Sequence, residues 1–164
     1  MINNNPETTV HIKDLTKKFG DFTAVDAISL DVKKGEIFGF LGANGAGKTT
    51  AMRMLCGLSL CTSGKGTVAG FDINLQQENI KRNIGYMSQK FSLYEDLTVF
   101  ENIRFYASVY GLSSNEIIKR SKDILERLGM SGQRNAFVSS LPLGWKQKLA
   151  FSIAVIHNPE IVFL

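Results

Sequence analysis

The stretch Gly42-Ala-Asn-Gly-Ala-Gly-Lys-Thr49 constrains this chain more than any other. It fits the pattern G-x-x-x-x-G-K-[ST] at every fixed position. Glycines tolerate positive φ, so successive backbone N–H groups can converge on one anion. A helix that opens directly after the loop aims the positive end of its dipole at the same place. Lys48 can reach β- and γ-phosphates as a compact charge. The Thr49 hydroxyl is a hard oxygen suited to Mg²⁺. The flanks agree. Glu36-Ile-Phe-Gly-Phe-Leu41 is nearly all apolar and predicts a strand buried on both faces of a parallel sheet. From Lys48 onward, Ala51, Met54, Leu55 and Leu58 recur at helical spacing. Strand, glycine loop and helix in succession is the context that confirms a phosphate cradle. The cradle is read as Gly42, Ala43, Asn44, Gly45, Ala46, Gly47, Lys48, Thr49 and Thr50.

Composition narrows the rest. The 164 residues are 44% hydrophobic and 21% charged, which excludes disordered and fibrous classes. No apolar run approaches the roughly 20 residues of a membrane helix. The N-terminus lacks a basic patch followed by an apolar run, so no signal peptide is expected. The net charge is +4, but the basic pairs Lys17-Lys18, Lys33-Lys34, Lys81-Arg82 and Lys119-Arg120 are dispersed. They read as solvated faces, and no nucleic-acid partner is expected. Cys56 and Cys61 have no second pair for a metal and read as buried thiols of a reducing compartment. His11 and His157 lack a partner at ligand spacing and read as structural.

Further elements follow from periodicity. Thr9–Leu15, Ala27–Val32, Gly66–Gly70 and Ile84–Ser88 predict strands. Past residue 90 the pattern turns helical. Thr98-Val-Phe-Glu101 and Ser113-Ser-Asn-Glu116 are capping boxes, each opening an apolar stripe that ends at Gly111 and Gly129 respectively. Gly144 to His157 predicts a third helix, stopped near Pro159. Ile161-Val-Phe-Leu164 predicts a further buried strand.

A phosphate loop alone does not separate ATPases, GTPases and small kinases. The N-K-x-D element common in guanine readers is absent. The surroundings decide. Gly35 to Thr50 resembles the nucleotide-binding domain of ABC-type transporters almost residue for residue, and the resemblance extends over about residues 8 to 164. It implies an α/β fold: a phosphate-loop core with an N-terminal antiparallel β portion, an inserted helical subdomain and an incomplete parallel sheet. The implied boundaries are 1–90 for the core, 91–145 for the helical subdomain and 146–164 for the return to the core.

The same resemblance implies roles. Phe19, 29 residues before Lys48, stands where the family places an aromatic that stacks on adenine, with Phe22 as the fallback. Gln89, in Ile84-Gly-Tyr-Met-Ser-Gln-Lys90, stands at the glutamine loop, where its carbonyl serves Mg²⁺ or the attacking water. Lys48 and Gln89 are thus the catalytic candidates, and Thr49 and Gln89 the metal candidates. The apolar residues after Gln89 (Phe91, Leu93, Tyr94) would line the groove for an integral-membrane subunit. Leu141-Pro-Leu-Gly-Trp-Lys-Gln147 stands at the signature motif. There Gly144, Trp145, Lys146 and Gln147 would approach a γ-phosphate held by a second nucleotide-binding domain, in a homodimer or a tandem chain. Pro142 replaces the usual serine and has neither hydroxyl nor N–H, so that contact is partly lost. The L-P-L-G-W-K-Q variant resembles bacterial drug-exporter ATP-binding proteins.

The expectation is therefore a protein that binds ATP and Mg²⁺ for an ABC-type multidrug export system. It would sit in the cytoplasm, peripherally on the inner face of the plasma membrane. The family's Asp and Glu that follow the last strand are not among these residues, so this chain is expected to bind ATP but hydrolyse little. Two other readings remain open at this point: a soluble ABC-type ATPase of DNA repair or translation, and a non-catalytic fragment.

Overall fold

The computed structural model describes residues 8–87 and 93–164. These divide into two compact units, one running up to Ile84 with Phe163, the other comprising Gly85–Val162 and Leu164.

The first unit is built on a hairpin of two long strands, β1 (Thr8–Phe19) and β2 (Phe22–Lys33). β3 (Ser63–Val68) pairs with the free side of β1, and the two-residue β4 (Phe71–Asp72) pairs with β3. The sheet order is β2-β1-β3-β4, antiparallel throughout. Val10, Ile12 and Leu15 of β1 and Val68 of β3 are buried. Helix α1 (Lys48–Leu55) buries Ala51, Met54 and Leu55, and α2 (Gln77–Asn83) buries Ile80. Each fully buried Leu, Ile or Met contributes roughly 1.5–3 kcal/mol.

The β1–β2 ladder shifts register at four places, and the break in its middle shapes the unit. Its register passes from Ile12↔Leu30 to Leu15↔Ile28 to Lys17↔Val25. At the break, Asp14 and Ala27 both have left-handed backbone, with φ of 52° and 45°. The buried Thr16 hydroxyl spans them, donating to the Asp14 carbonyl at 3.3 Å and accepting from the Ala27 N–H at 3.0 Å. A bulge bends a strand and increases its twist. Beyond it, the hairpin runs on to a tip where Phe19 faces Phe22.

The predicted strand at residues 36–41 is not a strand. Ile37 is 100% exposed and Leu41 95% exposed, and no described strand pairs with this segment. An all-apolar run reads as a strand covered on both faces, but the covering comes from neighbours. Without a ladder the segment stays irregular, with the Phe38 and Phe40 rings packed edge to face at 5.3 Å.

The second unit is mostly helical: α3 (Val99–Val109), α4 (Ser114–Arg127) and α5 (Leu143–Ala154), with single 3₁₀ turns at Ser131–Gln133 and Val138–Ser140. Val99, Ile103 and Ala107 of α3 meet Ile117 and Leu125 of α4 and Leu149 and Ile153 of α5 in one core. Both predicted capping boxes form completely, from Thr98 with Glu101 and Ser113 with Glu116. In chain order the helices lie between β5 (Ile84–Tyr86) and β6 (Ile161–Phe163), which pair as a separate small sheet. The class is the expected one: α/β, with an antiparallel N-terminal sheet, an inserted helical portion and an incomplete parallel sheet.

Candidate phosphate and nucleotide site

The glycine loop leads into α1 through Gly47, whose φ of 81° is left-handed. A side chain here would be strained, and it would also collide. A Cβ on Gly47 would lie 2.2 Å from the Ala24 carbonyl oxygen and 3.2 Å from Val25 Cγ2. The loop is thus seated directly on β2, two residues along from Phe22. Ala46 N–H donates to the Ala43 carbonyl at 3.2 Å, which tightens the turn before Gly47.

The start of α1 is left open. The first helical bond runs from the Ala51 N–H to the Gly47 carbonyl at 2.8 Å, so the amides of Lys48, Thr49 and Thr50 have no partner within the helix. No side chain caps this end, and no acidic residue stands in its first turn. Lys48 folds back over the loop, and its ammonium donates to the Gly42 and Ala43 carbonyls at 2.6 Å each. A cation held by two neutral carbonyls can exchange them for phosphate oxygens, whose charge-assisted bonds are stronger. Orphan amides, a cation and the absence of a competing carboxylate fit a phosphate chain. The Thr49 hydroxyl at the same helix start fits a hard divalent ion. Among the described residues there is no cluster of three or more His, Cys, Asp or Glu that could hold a metal by itself.

Phe19 ends β1 and is 56% exposed; its cross-strand partner Phe22 is 66% exposed. Both candidate adenine platforms therefore stand in solvent at the hairpin tip, on the strand pair that carries the loop. The Lys17 ammonium lies over the Phe19 ring, 5.0 Å from its centroid. Gln89 and Phe91 lie outside the described residues.

In the second unit, Pro142 is the N-cap of α5 and contributes no side-chain bond. Trp145 and Lys146 N–H groups both donate to its carbonyl, at 2.9 and 3.1 Å. The signature residues then diverge. Trp145 packs against the helical core. Gln147 is exposed, and a Cβ at Gly144 would meet nothing within 4 Å. Lys146 is engaged, its ammonium 2.6 Å from Glu95 Oε1. The predicted set is thus split between core, ion pair and solvent.

Two residues that the sequence reading missed organise this unit. Asn102 is fully buried. Its carboxamide oxygen accepts from the Tyr94 N–H at 2.9 Å, and its NH₂ donates to the Tyr94 and Thr98 carbonyls at 2.9 and 3.0 Å. Glu95 holds Lys146 and, through its carbonyl, the Ser139 N–H at 3.1 Å. Together they tie the segment after Gln89 to α3 and α5. A polar residue on the apolar stripe of α3 was the available signal for Asn102. No local pattern marked Glu95.

Burial pushes the Cys56 thiol up to about 12, so it is no nucleophile at neutral pH. Cys61 is only partly buried, unlike the expectation, and its Sγ lies 3.1 Å from Asn74 Oδ1. His11 pairs with Asp31 across β1 and β2, and the His157 ring stacks on Tyr110 at 3.7 Å. No described helix is long and apolar enough to cross a membrane.

The profile of the family described as ABC transporter matches residues 25–164. A protein of Escherichia coli K12 described as a probable multidrug ABC transporter ATP-binding protein, YbhF, is 46% identical over 158 residues, 96% of this chain and 27% of that one. The linearmycin resistance ATP-binding protein LnrL of Bacillus subtilis is 36% identical, over 93% of this chain and 49% of its own length. The bacitracin transport ATP-binding protein BcrA of Bacillus licheniformis is 37% identical, over 96% and 50%. This chain therefore spans about a quarter of the first relative and about half of the other two. A solved structure, described as the ATP binding subunit of an ABC transporter, superposes with a TM-score of 0.82 at 28% identity, covering 94% of this chain and 65% of that one.

Proposed function

The chain belongs to the ABC transporter family, and from that premise we propose that it binds MgATP as part of the nucleotide-binding domain of a drug-export system. One observation carries the reading: an uncapped α1 whose orphan amides stand, with the Lys48 ammonium, at a loop seated on β2 by Gly47. The loop amides bind the phosphate chain. Lys48 leaves the Gly42 and Ala43 carbonyls and neutralises β/γ charge. Thr49 ligates Mg²⁺, and Phe19 stacks on adenine, with Phe22 beside it. Mg²⁺ supplies neutralisation of the phosphate oxygens when bound. Gln89 completes the set by holding the metal or the attacking water.

Phosphoryl transfer depends mainly on positioning and charge stabilisation. Hydrolysis coupled to transport belongs to an assembly of two such domains with an integral-membrane subunit, at the inner face of the plasma membrane. In that assembly the Gly144 amide and Gln147 face the partner's γ-phosphate, while Lys146 acts through Glu95. The drug class rests on the relatives, whose descriptions include multidrug, linearmycin and bacitracin proteins. Those relatives do not favour a repair or translation ATPase.

Calorimetric titration with MgATP tests the reading. The chain should bind one equivalent, and Lys48→Ala should weaken binding at least tenfold. ATP at 100 times Kd should add about 2.7 kcal/mol of stability. No binding by the unaltered chain, or equal binding by Lys48→Ala, overturns it.

A further inference from the structure

We propose that Lys17 is a positioning residue for adenine recognition, acting through the ring of Phe19. This rests on the stacking role proposed above. Phe19 is the last residue of β1 and exposed, so little of the fold restrains its ring. Its ammonium neighbour supplies the restraint. Lys17 Nζ lies over one face of the ring, 5.0 Å from the centroid and inside the roughly 6 Å range of cation–π attraction. That leaves the opposite face for a base.

The ammonium is itself fixed. It donates to the Leu60 carbonyl at 2.8 Å, and the backbone beside it is strapped to the same loop. Lys18 N–H donates to Thr62 Oγ1 at 2.9 Å, and Thr62 N–H donates to the Thr16 carbonyl at 2.8 Å. Among the described residues no carboxylate forms an ion pair with Lys17. Its charge is held by a neutral carbonyl and the ring face, so it is free to polarise the ring. Ammonium, Phe19 and adenine then form one column. The cation stands behind the base, and the phosphates answer to Lys48.

The test is a double-mutant cycle on the 164-residue chain, read by titration with MgATP and with magnesium tripolyphosphate, which has no base. Lys17→Met keeps most of the stem and removes the charge. It should weaken MgATP about two- to fivefold, the range for an exposed cation–π contact. Tripolyphosphate binding should not change, which also shows that the variant is folded. Lys17→Arg should retain ATP affinity, and Lys17→Met should have no further effect in a Phe19→Ala background. An equal loss for tripolyphosphate, or the same loss without Phe19, makes Lys17 a phosphate contact and overturns the inference. So does an unaltered ATP affinity in Lys17→Met when Phe19→Ala weakens ATP. If Phe19→Ala itself leaves ATP binding unchanged, the stacking role fails and the inference falls with it.

Discussion

Helices begin in two different ways in this molecule. α3 and α4 each open on a hydroxyl that takes the N3 amide, and each receives a glutamate carboxylate in return. α1 and α5 open on Gly47 and Pro142, with no side-chain bond and no acid in the first turn. The short α2 falls between, without a cap bond but with Glu78 in its first turn. Self-capping closes a helix end and quiets its dipole locally. The closed ends belong to α3 and α4, which pack into the helical core. The open ends are the two that the motifs mark for contact with phosphate. Local stability is given up at α1 and α5 and kept at α3 and α4.

The comparison can be broken most severely at Gly47. Gly47→Ala combines a left-handed φ with a Cβ 2.2 Å from the Ala24 oxygen, so the loop must leave its seat on β2. MgATP affinity should fall on the order of 100-fold, about 2.7 kcal/mol, and titration calorimetry reads it. Retained affinity would mean that the open end is not the seat. A smaller and different effect is expected at the closed ends. Thr98→Ala or Ser113→Ala should each cost about 1 kcal/mol of stability in thermal unfolding, with nucleotide affinity unchanged. Loss of affinity in either variant would erase the distinction.

Less again is expected from Glu95→Gln. The Lys146 side chain is 15% exposed and Glu95 65% exposed, so solvent screens much of the pair. A loss of about 0.5–1 kcal/mol is expected in denaturant unfolding. The smallest effect is a pH dependence. Hydrogen bonds from the Thr98 side chain and backbone hold the Glu101 carboxyl below its usual 4.5, and Ser113 does the same for Glu116. Carboxyls depressed on folding stabilise the chain above about pH 4.5 and lose that contribution as pH falls through their folded values. The melting-temperature gap between Thr98→Ala/Ser113→Ala and the unaltered chain should therefore narrow in acid, without vanishing, because the bond from the N3 amide to the hydroxyl does not titrate. A constant gap would contradict the capping account.

What the sequence allowed one to read was local. Both capping boxes carry all their partners within a few residues, so spacing alone exposes them. Segment 36–41 misled because burial on two faces belongs to the strands that flank a segment. The predicted strands at Thr9–Leu15 and Ala27–Val32 stopped short, because past the Thr16 bulge the ribbon is mostly exposed and its apolar residues no longer alternate with polar ones. α2 offered one buried residue, too few for a period. Glu95 and Lys146 are 51 residues apart, and only the folded helical unit brings them together.

Asn102 carries a consequence for hydrogen exchange. Tyr94 stands in a segment without regular secondary structure, where amides ordinarily exchange with solvent in local openings. Its N–H instead ends on a carboxamide inside a helix core. To release that proton, α3 must let go of its own buried face. Tyr94 should therefore exchange as slowly as the core amides of α3, making one loop amide a reporter for the opening of the whole helical unit.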